Sequence, residues 1–249
     1  MYGLGANDAK GCVAAMAVAF RRARIARGRL VFAAVCEEEI GRGGAEVFLP
    51  TLPPADEAIV GEPTGLQIAT SQLGMLLLEC EAKGRAGHAA RPHLAENAIY
   101  AAARDILAVE ALSIALGGVG AVTVVNGGDR HNVIPDRCRY TIDFRSEVPH
   151  DVLIERVRAA VGAEVTVRSD RFRPVATPSD ARVLAAARAT GATAFASPTL
   201  SDWVHLTCPA IKWGPGLSEV SHTADEWVEV AMVERAVEDY TRVIEQVLG

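Results

Sequence analysis

One histidine and a spaced set of carboxylates hold most of the chemistry available to this chain. His222 lies in Gly214-Pro-Gly-Leu-Ser-Glu-Val-Ser-His-Thr-Ala-Asp225, just after the apolar run 210–213. Asp8, the cluster Glu37, Glu38 and Glu39, and Glu62 each follow or adjoin a turn marked by glycine or proline. An imidazole and several carboxylates at strand ends make a metal-site pattern. Zinc takes nitrogen and oxygen donors, and a catalytic site leaves one position open. Each residue alone has a plainer reading. Asp8 would cap the following helix, the three acids would form a solvated turn, and Glu62 would be a turn residue before Pro63. His222 and His88 would be ordinary loop histidines. Three adjacent acids directly after a buried strand are costly without a cation, which weakens the plain readings when they are taken together.

The elements that must position these residues follow from the apolar pattern. Residues 9–24 are alanine-rich with Met16, Val18 and Phe20, a helical composition, and Arg21, Arg22 and Arg24 suit its C-terminal end. Residues 30–36 form a continuous apolar run that predicts a buried parallel strand, ending at Glu37. A short helix over 45–49 and a strand over 57–60, ending at Gly61-Glu62-Pro63, come next. In open α/β sheets ligands bind beyond the carboxyl ends of strands, where the acidic cluster, Glu62 and His222 all fall.

The texture changes near Gln72. Strands over 74–82, 121–126, 137–145 and 164–168, with helices over 96–112 and 151–161, give the order β-α-β-β-α-β of a compact two-layer unit. His88 sits in the loop 84–92. After Pro174 the first texture returns: a helix over 180–190 started by Ser179 or Asp180, short strands over 193–196 and 211–213, and an amphipathic helix over 230–248.

Composition narrows the classes. A chain of 249 residues that is half hydrophobic has room for two domains and a sizeable core. A net charge of −6 without a basic stripe argues against nucleic acid as a partner. Five widely spaced cysteines with no C-x-x-C pair read as reduced thiols of a cytoplasmic protein. No apolar run reaches the roughly 18 residues of a membrane span, and no signal peptide precedes the first element.

Several motifs in order carry a resemblance. They are Gly5-Ala-Asn-Asp-Ala-Lys-Gly11, Glu37-Glu-Glu-Ile-Gly41, Val60-Gly-Glu-Pro-Thr64, Gly84-Arg-Ala-Gly-His-Ala-Ala-Arg-Pro92 with Glu96-Asn-Ala-Ile99, His131-Asn-Val-Ile-Pro-Asp136, and Gly214-Pro-Gly216 to Glu226. Together they resemble the zinc aminoacylase/carboxypeptidase family that includes acetylornithine deacetylase and succinyl-diaminopimelate desuccinylase. The resemblance implies an α/β, zinc-exopeptidase-like catalytic domain over 1–71 and 173–249. An inserted α+β ferredoxin-like lid and dimerisation domain would occupy 72–172. It implies that Asp8 bridges two metal ions, Glu38 is the general base, Glu39 and His222 bind one ion, and Glu62 binds the other. It further implies that His88, offered by the partner subunit's lid, meets the substrate carbonyl, and that Asn132 and Arg145 grip the substrate carboxylate. As surface residues, Arg145 would end a strand and Asn132 would sit in a turn.

The expected activity is metal-dependent removal of an acetyl group from an N-acetyl amino acid, N-acetylornithine first. The alternatives are desuccinylation, hydrolysis of another N-acyl amino acid or dipeptide, or non-catalytic binding of an amino-acid ligand. The expected cofactor is Zn2+ or Co2+, two per subunit in the complete family site. The family's His-x-Asp motif is absent from this sequence, which leaves a full ligand set for one ion and the expectation of a catalytic domain incomplete at its N-terminus. The expected partners are a small N-acyl amino acid and a second copy of the chain joined through the lid, with no membrane.

Overall fold

The computed structural model describes residues 1–40 and 43–249, so Gly41, the end of the quoted Glu37–Gly41 motif, lies outside the described residues. The chain divides into two compact units. One is Met1–Gln72 with Val175–Gly249, and the other is Leu73–Pro174.

The first unit carries α1 (Gly11–Arg22), α2 (Gly44–Phe48), β1 (Ala58–Val60) and β2 (Ile68–Gln72). After the second unit, the chain returns through β9 (Val175–Ala176), α5 (Arg182–Arg188), β10 (Ala194–Ser197), β11 (Ala210–Lys212) and α6 (Val230–Leu248). The sheet runs β1-β11-β2-β10, with β9 also beside β2. β1 and β11 are parallel, pairing Val60 with Lys212, and this brings the loops that follow them to one end of the sheet. Helix α6 buries Ala236, Asp239, Tyr240 and Val243, the spacing of one helical face. That face packs into a core with Ile68, Leu184, Ile211, Trp213 and the small residues Ala15 and Ala19 of α1. Small residues there let α1 approach closely.

Two expectations fail in this unit. Residues 30–36 form no strand; Val31 and Val35 are exposed. An extended apolar run becomes a strand only when a neighbour takes its backbone hydrogen bonds, and no described strand pairs with it. The ring of Phe32 lies against that of Phe20 of α1, centroids 6.0 Å apart. The expected cap of the 180–190 helix also differs. Helix α5 begins at Arg182 without a side-chain cap from its own N-cap residue, and Glu57 Oε1 instead accepts the Val183 N–H at 3.1 Å. A distant carboxylate thus takes one of the helix's free first-turn donors.

The second unit holds β3 (Gly74–Lys83), β4 (Gly87–His88), α3 (Ala98–Ala115), β5 (Gly120–Gly127), β6 (Val133–Ile134), β7 (Arg137–Ser146), α4 (His150–Ala160) and β8 (Glu164–Phe172). Its main sheet is antiparallel in the order β5-β7-β3-β8, and β4 pairs with β6. Strand β7 alternates buried and more accessible positions, as a sheet covered on one face requires. Its inward residues Tyr140, Ile142 and Phe144 pack with Leu76 and Leu78 of β3, Ala102 and Val109 of α3, and Leu153 and Val157 of α4. Asn97 caps α3, accepting the Ile99 N–H at 2.9 Å. Among the described residues, no helix is long and apolar enough to cross a membrane.

Candidate metal centre

Asp8, Glu39 and His222 converge in the first unit. One ligand atom from each lies within 4.8 Å of the others. His222 Nε2 stands 2.9 Å from Glu39 Oε1 and 3.9 Å from Asp8 Oδ2. Donors at zinc-ligand distance from one cation sit about 3.3 Å from each other in a tetrahedron, a value these separations bracket. Nitrogen and oxygen donors of this kind fit Zn2+ or Co2+. The donor set therefore fits the metal that the motifs imply.

Each ligand is held by a different local device. Asp8 is no helix cap. Its backbone is extended (φ −119°, ψ 95°), and the N-cap of α1 is Lys10. His222 has φ +60°, a left-handed conformation uncommon outside glycine. Glu38 and Glu39 sit on a short 3-10 turn that Glu37 enters at φ +67°. The glycines of Gly214-Pro-Gly216 are required by close approach. A Cβ on Gly214 would lie 2.7 Å from Cys12 Sγ and from the Glu62 carbonyl, and one on Gly216 would lie 2.3 Å from Asn7 Oδ1.

The electrostatics are those of carboxylates crowded out of water. Burial raises the Asp8 carboxyl, and Glu39 adds to this, while a Ser221 hydrogen bond and His222 oppose it. The Glu38 carboxyl is pushed up to about 7, first by burial and then by Asp202, Glu39 and Asp8, with Lys212 opposing. Glu62 is driven well above the ordinary carboxylate range by burial, then by Asp8 and Glu38. His222 is raised by its hydrogen bond to Glu39. Burial is the main cause at all three carboxyls and their mutual repulsion the second, and a cation held among them would favour their charged forms.

Glu62 follows β1 and shares the field of Asp8 and Glu38 but stands outside the three-residue group. The remaining candidates belong to the second unit. His88 pairs with Val133 across β4 and β6, and its Nδ1 accepts the Ala90 N–H at 3.1 Å. The Asn132 carbonyl accepts the Ala89 N–H at 3.0 Å, so His88 and Asn132 share one corner. Arg145 donates two hydrogen bonds to Asp143, at 2.8 and 3.1 Å.

Four residues at the centre escaped the sequence reading. Lys212 lies within the apolar run 210–213, yet it is fully buried and its Nζ donates to the Thr199 carbonyl at 2.8 Å and hydroxyl at 3.0 Å. Burial lowers its ammonium to about 8, opposed by Glu62, Glu38 and Asp8. A lysine inside a buried three-residue strand was the signal. Asp202, raised by burial, adds to the field at Glu38. Asn7 and Glu226 lie inside quoted motifs and are both buried.

Residues 1–246 match the model of peptidase family M20/M25/M40. The chain belongs to that family. Membership makes it one of the metal-dependent amide hydrolases. It is 30% identical to acetylornithine deacetylase of Myxococcus xanthus over 92% of this chain and 68% of that protein. It is 29% identical to succinyl-diaminopimelate desuccinylase of Dinoroseobacter shibae over 98% of this chain and 74% of that protein. The fold is similar to that of an aminopeptidase from Bacillus cereus, with TM-score 0.65 at 17% identity, covering 82% of this chain. The family member described here spans 61% of that aminopeptidase's length.

Proposed function

We propose that this protein hydrolyses the acyl amide bond of an N-acyl amino acid, with N-acetylornithine as the preferred substrate. The observation that carries the reading is the convergence of Asp8, Glu39 and His222 beside Glu38. A divalent Zn2+ or Co2+ bound there supplies Lewis acidity and acidifies a water at neutral pH. Glu38 would take the proton of the attacking water and return it to the leaving amine. Glu62 would complete a second ion's site with Asp8. The buried Lys212 balances part of the negative field. His88, offered by the lid unit of a second copy of the chain, would donate to the carbonyl oxygen as charge develops on it. Arg145 uses two donors on Asp143 and keeps others of its fork for a substrate carboxylate, with Asn132 as a second hold. In this reading the 73–174 unit is the substrate lid.

A second copy of the chain is the proposed partner, docked on the lid unit. Helix α3 exposes Tyr100, Leu107 and Ile114, each seven residues apart, so they form one stripe. The stripe lies on the helix packed beside the edge strand β5, which exposes Val124 and Val125. An apolar stripe next to an open strand edge suits a self-complementary interface. The five thiols are all free, which supports work in the reducing cytoplasm.

The test is release of free amine from N-acetylornithine, N-acetylcitrulline and N-succinyl-diaminopimelate by protein loaded with Zn2+ or Co2+. Chelator-sensitive turnover of the acetyl substrates is expected. Preference for the succinyl substrate would move the assignment to a desuccinylase, the name of the Dinoroseobacter relative. No turnover of any N-acyl amino acid would leave a ligand-binding protein.

A further inference from the structure

We infer that Glu226 is the positioning residue that sets Asp8 against His222. The inference rests on the reading of Asp8 and His222 as metal ligands.

Glu226 is buried in the first unit, four residues after His222. Both of its carboxylate oxygens are taken by the backbone that carries Asp8. Oε2 accepts the Gly5 N–H at 2.6 Å. Oε1 accepts the Asn7 N–H at 2.9 Å and the Asp8 N–H at 2.8 Å. Three amide donors converging on one carboxylate form a concave anion cradle, here filled by a side chain of the protein itself. The loop Gly3–Asp8 has non-helical backbone at Asp8 and left-handed Gly5, so its own amides have few local acceptors. Glu226 provides the missing acceptor, and a charged one makes the stronger bonds.

Asn7 completes the device from the other side. It is fully buried; its Oδ1 accepts the Leu217 N–H at 2.8 Å, and its Nδ2 donates to the Leu217 carbonyl and Ser221 Oγ, both at 3.0 Å. Ser221 is the residue before His222. The segment that delivers Asp8 and the segment that delivers His222 are therefore joined by six hydrogen bonds, three on the Glu226 carboxylate and three on the Asn7 amide. Backbone pairing of Gly3 with Glu226 and of Met1 with Val228 anchors the start of the chain but stops short of Asp8. The carboxylate continues that anchoring to the ligand itself. Partners behind metal ligands typically change affinity by about 10–100-fold when removed.

The experiment compares Co2+ binding by the full chain, unsubstituted and as Glu226→Gln, Glu226→Asp and Asp8→Asn, with the Co2+ visible spectrum as a second readout. Glu226→Gln keeps the length but turns one acceptor into a donor facing an amide. Glu226→Asp keeps the charge but is one methylene short. Both are expected to bind Co2+ about 10–100-fold more weakly with an altered spectrum, while circular dichroism stays unchanged. Unaltered affinity and spectrum in Glu226→Gln, with binding lost in Asp8→Asn, would overturn the inference and leave the metal reading standing. If the unsubstituted protein binds no Co2+, the metal reading fails instead. Amide exchange in the unsubstituted apo protein decides the clamp even if the variants do not fold. Gly5, Asn7 and Asp8 amides should exchange slowly, and fast exchange at all three would overturn it.

Discussion

His222 Nε2 and Glu39 Oε1 stand 2.9 Å apart, although 183 positions of chain separate them. Neither side chain is deeply buried, at 69% and 57% exposed, so the pair on its own contributes little to folding. Its geometry matters because Asp8 closes the third corner. Three donors on three separate loops, with a carboxylate field around them, are better accounted for by a cation than by stability.

That arrangement makes the ligands individually indispensable. His222→Ala and Glu39→Gln should each lower bound Zn2+ or Co2+ to well below one per chain after dialysis. Their affinity should fall by more than the roughly 100-fold expected for partners that only support a ligand. Metal content by elemental analysis checks this. Stoichiometry unchanged in both variants would remove Glu39 and His222 from the centre.

Glu38 is separable from its neighbour. It is absent from the donor group, and its carboxyl sits near neutrality because of burial and the surrounding acids. Glu38→Gln should retain metal and lose turnover by about 10²–10⁴-fold, the usual range for a positioned proton acceptor. Rates and metal content measured on the same preparation check this. Wild-type turnover in Glu38→Gln would favour a binding protein.

Much of this centre could be read in the sequence because strand ends announce themselves. Val60-Gly-Glu-Pro63 and Trp213-Gly-Pro-Gly216 each follow a short apolar run with residues that cannot extend it. The run 30–36 misled for the opposite reason. Its residues are as strand-like as those of β1, but a strand is completed by its neighbour, and composition does not reveal the neighbour. Strand β2 is not legible in the sequence because Ile68-Ala-Thr-Ser-Gln72 is only weakly apolar; it lies between β11 and β10 in the sheet. The Glu226 clamp could not be seen in advance, since its partners lie 218 to 221 positions away.

The second unit contains a buried histidine that is not one of the candidate metal ligands. His150 begins α4 and is buried. Burial lowers its pKa below the ordinary 6.5, and Arg173 lowers it further, while Asp170 and Asp151 oppose. The folded state therefore binds fewer protons than the unfolded chain. The stability from neutral His150 is fully present above about pH 6.5 and is lost as pH falls through the lower folded value. Melting temperature should drop more between about pH 7.5 and 5 in the wild type than in His150→Leu. Equal drops in the two proteins would show that this imidazole does not govern the acid limb.

The stripe on α3 gives the last prediction. Tyr100, Leu107 and Ile114 are 66%, 64% and 71% exposed, far more than a helix in contact with its own sheet needs on its outer face. Large apolar side chains aligned at seven-residue spacing repeat every two turns, so a matching helix of a second copy could cover all three at once. Among the described residues strand β5 is the edge of its sheet, where it can pair antiparallel with its own copy about the same two-fold axis, as a symmetric dimer requires. A charge at the centre of that surface costs most, because it is buried without a partner. Leu107→Glu should convert a dimer to a monomer on size-exclusion chromatography with light scattering. Its circular dichroism should be unchanged, since Leu107 lies outside the unit's core. A wild-type protein that is already monomeric at tens of micromolar would refute the interface, and a variant that remains dimeric would move it to another face.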